Sequence, residues 1–371
     1  MTDDAVLRPA LAALVPYEPG KPVEEVQREL GLVRVVKLAS NEGPYGPFAE
    51  ALEAMERASK ELNRYPDGGA WALRRGLADR LGVRFEEVAV GAGADGVIDC
   101  LSQATLDPGD EIVCGWPSFP SYVIDAAKLG ASAVKVPLRD HRYDLEALLA
   151  AITPRTKLAY VCNPNNPTGT MNTRAELDDW FGRVPSHVLT VLDQAYFEYI
   201  DDPDYPDGIA EYYRRGCRVL VVRTFSKIYG LAGARIGFAV GPPEVVTAIA
   251  KVRRAFDMAT QGQVAAVASL DAADEIARRR AANTEGRDEL ASILRAAGLE
   301  PVEPAFGNFI YADAAGDGAA LFDALLREGV IVRPLAGFGA PDAVRVTVGT
   351  SDEHMFLAEA LDRVRAKTPA S

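Results

Sequence analysis

Residues 222–238 read VRTFSKIYGLAGARIGF, and the fold turns on what Lys227 is doing there. Upstream, Arg218-Val219-Leu220-Val221-Val222 is a β-branched run that predicts a buried strand ending at Thr224, Phe225 and Ser226. A lysine normally keeps its ammonium in water, so a surface residue is the plainer reading. The neighbours favour another. Gly230, Gly233 and Gly237 let the backbone turn and pass close to a partner, and Arg235 offers a guanidinium fork suited to phosphate. Desolvated in such an anion pocket beside a second cation, a lysine falls from its usual pKa of about 10.4 toward the neutral amine that attacks carbonyls.

Outward from this stretch, short apolar runs alternate with helical patterns. Strands are predicted at 88–90, 111–114, 133–136, 158–162, 188–192, 219–222 and 237–240, with helices such as 70–81 and 95–105 between them. That alternation predicts an α/β fold with a mostly parallel sheet flanked by helices. After Gly241-Pro242-Pro243 the character changes to two long Ala- and Arg-rich helices, 244–270 and 272–297, and then to strand patterns at 309–311, 330–332 and 343–348. The expected organisation is an arm with part of a smaller domain over 1–39, a large domain over 40–243, and a smaller α/β domain over 244–371.

The chain has 371 residues and a formal net charge of −13, which argues against nucleic acid or an anionic membrane as partner. No apolar run is long enough to span a bilayer, and Met1-Thr2-Asp3-Asp4 lacks a signal-peptide pattern, so the expected location is cytoplasmic. Cys100, Cys114, Cys162 and Cys217 show no CxxC spacing and read as reduced thiols. His141, His187 and His354 are scattered, and no metal is assigned.

In open sheets of this kind ligands gather at the carboxyl ends of the strands. Four strand ends carry chemistry: Gly91 to Gly96 before a helix, Asn163-Pro164-Asn165-Asn166-Pro167-Thr168-Gly169, Asp193-Gln194-Ala195-Tyr196, and Thr224 to Lys227. The first matches GxGxxG, yet Asp110 and Glu111 precede the next strand instead of ending it, so a phosphate at Ala94 and Asp95 suits the loop better than a dinucleotide. A phosphate site, a reactive lysine, a carboxylate and a phenol together describe pyridoxal 5'-phosphate. Lys227 forms the Schiff base, and Asp193 pairs with the pyridinium nitrogen and keeps the ring an electron sink. Tyr196 and Asn166 hydrogen-bond the ring's O3′, and Thr224, Ser226 and Arg235 complete the phosphate cup. Singly, Asp193 reads as a helix cap, residues 166–169 as a turn and Tyr196 as core; their coincidence at strand ends beside Lys227 does not.

With these residues in place the sequence resembles the fold-type I pyridoxal-phosphate-dependent aminotransferases, and within them the histidinol-phosphate aminotransferase group. The likeness covers Leu14-Val15-Pro16-Tyr17, Pro19-Gly20-Lys21-Pro22, Lys37 to Glu42, Arg64-Tyr65-Pro66-Asp67, Gly93-Ala94-Asp95, Asn165 to Gly169, Asp193 with Ala195-Tyr196, Ser226-Lys227, Gly230 to Gly233, Arg235 and Arg345 to Gly349. It implies that Lys227 is also the base that moves the substrate's proton, and that Phe119 stacks on the ring. It implies too that Tyr65 reaches the cofactor phosphate of a neighbouring subunit in a homodimer with shared sites. Arg345 is implied to grip the substrate carboxylate, and Arg333 and Tyr17 the distal or phosphate end, with Asn41 also at the substrate.

The implied reaction moves an amino group between histidinol phosphate and 2-oxoglutarate. An aromatic amino acid remains open as the alternative substrate, and a decarboxylase of a phosphorylated amino acid as a third reading, since the same lysine and aspartate serve each. A regulator of this fold would need a basic DNA-reading module, for which barely forty residues precede the fold. The sequence departs from the family at Gln194, where Glu is usual, and at Gly43, where Asn is usual; both are expected near the substrate opening.

Overall fold

The computed structural model describes residues 6–12, 14, 20–314 and 316–367. Its strands, in chain order, are β1 (Val36–Lys37), β2 (Val88–Ala92), β3 (Glu111–Trp116), β4 (Ser132–Pro137), β5 (Thr156–Cys162), β6 (Leu189–Asp193), β7 (Val219–Thr224), β8 (Ile236–Val240), β9 (Glu300–Pro301), β10 (Phe309–Asp313), β11 (Val330–Ile331), β12 (Arg333–Pro334) and β13 (Ala343–Thr347). The unbroken apolar runs become strands covered on both faces: every residue of β6, β7 and β8 is buried. Edge strand β4 is instead mostly exposed or half-buried.

These strands form a seven-stranded sheet ordered β2-β8-β7-β6-β5-β3-β4. All neighbours are parallel except β8, which runs antiparallel to both β2 and β7. The carboxyl ends of β2, β3, β5, β6 and β7 therefore lie along one edge, and the crossover helices Gly93–Thr105, Ser121–Leu129, Leu145–Ala150 and Arg174–Arg183 leave that edge free. Thr173 and Glu176 start the last of these as a reciprocal cap, the Glu176 carboxylate accepting from the Thr173 N–H at 2.7 Å.

A second, antiparallel sheet is ordered β12-β13-β10-β9, and β1 pairs in parallel with β11 through Val36–Val330. Leu290, Leu294, Ile310, Leu325, Val344, Val346 and Leu357 form its core, joined by Val36 and Leu38 from near the chain start. The larger core does not stop at residue 243, where the sequence suggests a boundary. Val246, Ile249 and Ala265 belong to it, because helices Pro243–Val252 and Thr260–Ala268 lay their apolar faces on the large unit, and Met258 between them and Ile276 of helix Ala273–Ala296 join it.

The helix expected over 244–270 is these two pieces. It breaks at Arg253, whose backbone is extended and whose guanidinium donates to the carbonyls of Val90 (3.1 Å) and Gly68. Phe256 follows in the left-handed region at φ 59°. Among the described residues no helix is long and apolar enough to cross a membrane.

Gly237 is where the sheet meets the helix that starts at Gly93. A Cβ on Gly237 would lie 2.2 Å from the Ala94 nitrogen and 2.3 Å from the Gly93 carbonyl carbon, and backbone cannot give way as a flexible side chain can. Gly237→Ala should therefore lose about 1–3 kcal/mol of stability by chemical denaturation. Gly233→Ala, with nothing within 4 Å of the added carbon, should change it little.

Candidate functional site

Lys227 lies just beyond β7, partly open to solvent, with its Nζ donating to the Asn41 carbonyl at 3.3 Å and 5.5 Å from the centroid of the Tyr196 ring. Burial, followed by the fields of Arg345 and Arg235, lowers its pKa to about 7 against the opposing pull of Glu42 and Asp193. Near neutral pH much of this amine is a free nucleophile.

Asp193 ends β6, the strand beside β7. It is buried, its Oδ1 accepting from the Ala195 N–H at 3.0 Å and its Oδ2 from the Tyr122 hydroxyl at 2.6 Å. Burial raises its pKa, and those two bonds together with Lys227 work against the rise. Tyr122 has no place in the sequence reading. It sits in the first turn of helix Ser121–Leu129, stacked on Tyr160 at 4.2 Å between centroids and edge-on to Phe119 at 5.5 Å.

Tyr196 is buried against Phe309, with ring centroids 5.1 Å apart, and its hydroxyl accepts from Asn41 Nδ2 at 2.9 Å. Asn166 is buried too, and Arg345 Nη1 donates to its Oδ1, which leaves the Asn166 nitrogen as the end able to donate elsewhere. The preceding Asn165 builds the turn, donating to the Pro117 carbonyl (3.1 Å) and to Thr168 Oγ1 (2.9 Å). Arg345 Nη2 donates to the Ala39 carbonyl at 2.8 Å. Arg333 stands directly opposite Arg345 in the β12–β13 register, and both guanidinium groups face the Phe338 ring, at 5.5 and 5.4 Å from its centroid.

Ala94 and Asp95 lie in the first turn of helix Gly93–Thr105, whose leading N–H groups have no partner within the helix. Gly93, at φ 79°, turns the chain into that helix, and a Cβ there would lie 2.7 Å from Arg235 Nη2. Arg235 Nη1 donates to Ser226 Oγ at 3.4 Å, and the Ser226 N–H donates to Thr224 Oγ1 at 3.1 Å. Helix amides, two hydroxyls and a guanidinium thus converge into a cradle for a phosphoryl oxyanion.

One expected residue stands apart from this cluster. Tyr65 is 82% exposed and stacks on Phe256 at 4.7 Å, and Tyr17 lies outside the described residues. Gln194 is not at the opening. It is fully buried, its Oε1 accepting from Arg223 Nη2 and the Gly208 N–H, both at 3.1 Å, and its Nε2 donating to the Pro206 carbonyl at 2.8 Å. Gly43 packs beside the site, where a Cβ would lie 3.6 Å from the Lys227 carbonyl oxygen.

Comparison with known proteins gives the family. A family profile described as aminotransferase class I and II matches residues 33–363. The chain is similar to a histidinol-phosphate aminotransferase of Moorella thermoacetica, 45% identical over 97% of this chain and 93% of that one. A histidinol-phosphate aminotransferase of an Anaeromyxobacter species is also 45% identical, over 96% and 98%. Among solved structures, that of the histidinol-phosphate aminotransferase of Sinorhizobium meliloti in complex with pyridoxal-5'-phosphate superposes with a TM-score of 0.87, at 29% identity over 98% of both chains.

A depressed lysine has a measurable signature. In protein stripped of bound aldehydes, labelling of Lys227 by a small aldehyde and borohydride should be half-maximal near pH 7, as its folded pKa of about 7 requires. Labelling that rises only around the ordinary lysine value would show the amine to be solvated.

Proposed function

The chain belongs to the class I and II aminotransferase family, and from that premise we propose that it moves an amino group between histidinol phosphate and 2-oxoglutarate with pyridoxal 5'-phosphate as cofactor. One juxtaposition carries this: an amine lowered to about pKa 7 and a buried carboxylate at neighbouring strand ends. The residues present fit the cofactor. A carboxylate pushed up by burial suits a cationic ring nitrogen, a neutral amine suits an aldehyde, and the cradle around Ala94 and Arg235 suits a phosphate.

When bound, the cofactor supplies an aldehyde and an electron-withdrawing ring that spreads the charge developing at the substrate's α-carbon. Lys227 Nζ would be the base that carries the proton between that carbon and the carbon of the cofactor's aldehyde group. Asp193 would pair with the ring nitrogen and keep it protonated, Phe119 would stack on the ring, and Tyr196 and Asn166 would donate to O3′. Ala94, Asp95, Thr224, Ser226 and Arg235 hold the phosphate. Arg345 takes the carboxylate of glutamate or 2-oxoglutarate, while Arg333, opposite it, takes the distal carboxylate or the phosphate of histidinol phosphate, the role the family resemblance also implies for Tyr17.

The active unit is a homodimer. Tyr65 is open to solvent in this chain, and Leu62 and Trp71 (each 62% exposed) and Phe256 (47%) make its surroundings an apolar surface that a second copy covers. The described cysteines are all free, which fits a reducing, cytoplasmic setting.

Steady-state assays separate the substrates. Histidinol phosphate should be turned over with higher kcat/KM than phenylalanine or tyrosine, and Arg333→Ala should raise its KM about ten- to hundredfold while moving that of phenylalanine far less. Preference for the aromatic amino acids would overturn the assignment. The shared site has its own test. Tyr65→Ala and Lys227→Ala chains, each inactive alone, should regain about a quarter of wild-type activity when mixed, from one intact site in the half of the dimers that are hybrids.

A further inference from the structure

Tyr196 is held by Asn41, and Asn41 is held by Thr347. Asn41 is buried, at φ 53°, and its Nδ2 donates to the Tyr196 hydroxyl oxygen at 2.9 Å. Thr347, at the end of β13, accepts from the Asn41 backbone N–H at 3.0 Å and sends its own proton to Asn41 Oδ1 at 3.2 Å. An N–H can only donate and a hydroxyl has one proton to give, so the Thr347 proton goes to the oxygen end of the amide, and the nitrogen end faces Tyr196. A donor at that point occupies a lone pair of the phenol oxygen and forces the phenol proton to turn away from it. The Asn41 carbonyl is engaged as well, by Asn308 Nδ2 at 3.1 Å and Lys227 Nζ at 3.3 Å.

We propose that Asn41 and Thr347 are positioning residues that aim the Tyr196 hydroxyl proton into the site, so that Tyr196 serves there as a donor and not as an acceptor. The proposal rests on the reading above in which Tyr196 faces O3′ of the cofactor. It moves Asn41 from direct substrate contact to a role exercised through Tyr196, and it adds to β13, which already carries Arg345, a second part in the reaction. The charged groups whose fields reach Tyr196 are Lys227, Arg345 and Asp193.

The test is a spectrophotometric titration of the holoenzyme, reading the pH midpoint of the bound cofactor's visible absorption. A phenol proton given to O3′ stabilises negative charge there, and its loss makes the neighbouring nitrogen more basic. Thr347→Val should therefore move the midpoint up by about half to one pH unit, and Thr347→Ser, which keeps the hydroxyl, should restore it. The double variant Tyr196→Phe/Thr347→Val should titrate like Tyr196→Phe alone, because both act through one proton. Should Thr347→Val fail to retain cofactor, Asn41→Gly, which suits a positive φ and removes the amide, must shift the midpoint the same way. A midpoint that moves in Tyr196→Phe but not in Thr347→Val, or additive shifts in the double variant, overturns the proposal. An unmoved midpoint in Tyr196→Phe itself overturns the placement of Tyr196 on the cofactor, and the proposal with it.

Discussion

A carboxylate buried at the end of a central strand is the constraint around which the rest of the molecule is arranged. Removing Asp193 from water disfavours its charge, and two donors, the Ala195 N–H and the Tyr122 hydroxyl, offset part of that cost without supplying a cation. One strand over, Lys227 meets the mirror-image problem: burial disfavours its ammonium, and two arginines add to the effect. In each case the charged form is the one that burial disfavours. A ligand bearing a cationic nitrogen and an aldehyde relieves both at once, so affinity for such a ligand is built into how the strands end.

The two sheets are joined at this point by very few residues. Asn41 and Ala39 supply backbone groups to Thr347 and Arg345, which lie on β13, while the side chain of Asn41 reaches Tyr196 beyond the end of β6. Arg345 in turn holds Asn166 beyond the end of β5. In the proposed function, a substrate anion drawing on Arg345 would be tied through Asn166 to the residues that address the ring, so that recognition and chemistry would share side chains.

Much of the architecture could be read from sequence because it is local. Runs such as Val219-Leu220-Val221-Val222, short and β-branched, read as strands buried on both faces, and the polar residues that follow each run mark one edge of the sheet. What could not be read is the meeting of distant segments. Thr347 and Asn41 are 306 positions apart, Tyr122 and Asp193 are 71, and a tyrosine in a helical pattern reads as core until its hydroxyl is seen to find a carboxylate. The break at Arg253 was hidden for a related reason. Its residues favour helix, and the tertiary bonds of one guanidinium to Val90 and Gly68 override them.

Gln194 carries a consequence for anyone recombining this chain with its relatives. Its amide nitrogen gives a proton to the Pro206 carbonyl while its oxygen receives from Gly208 and Arg223, a two-way arrangement that an ionised acid cannot make. An acid grafted at this position would keep Arg223 and the Gly208 N–H as donors but set its second oxygen against the Pro206 carbonyl. The amide and the segment around Pro206 and Gly208 therefore form a matched set, and chimaeras that exchange one without the other inherit that carbonyl–carboxylate repulsion.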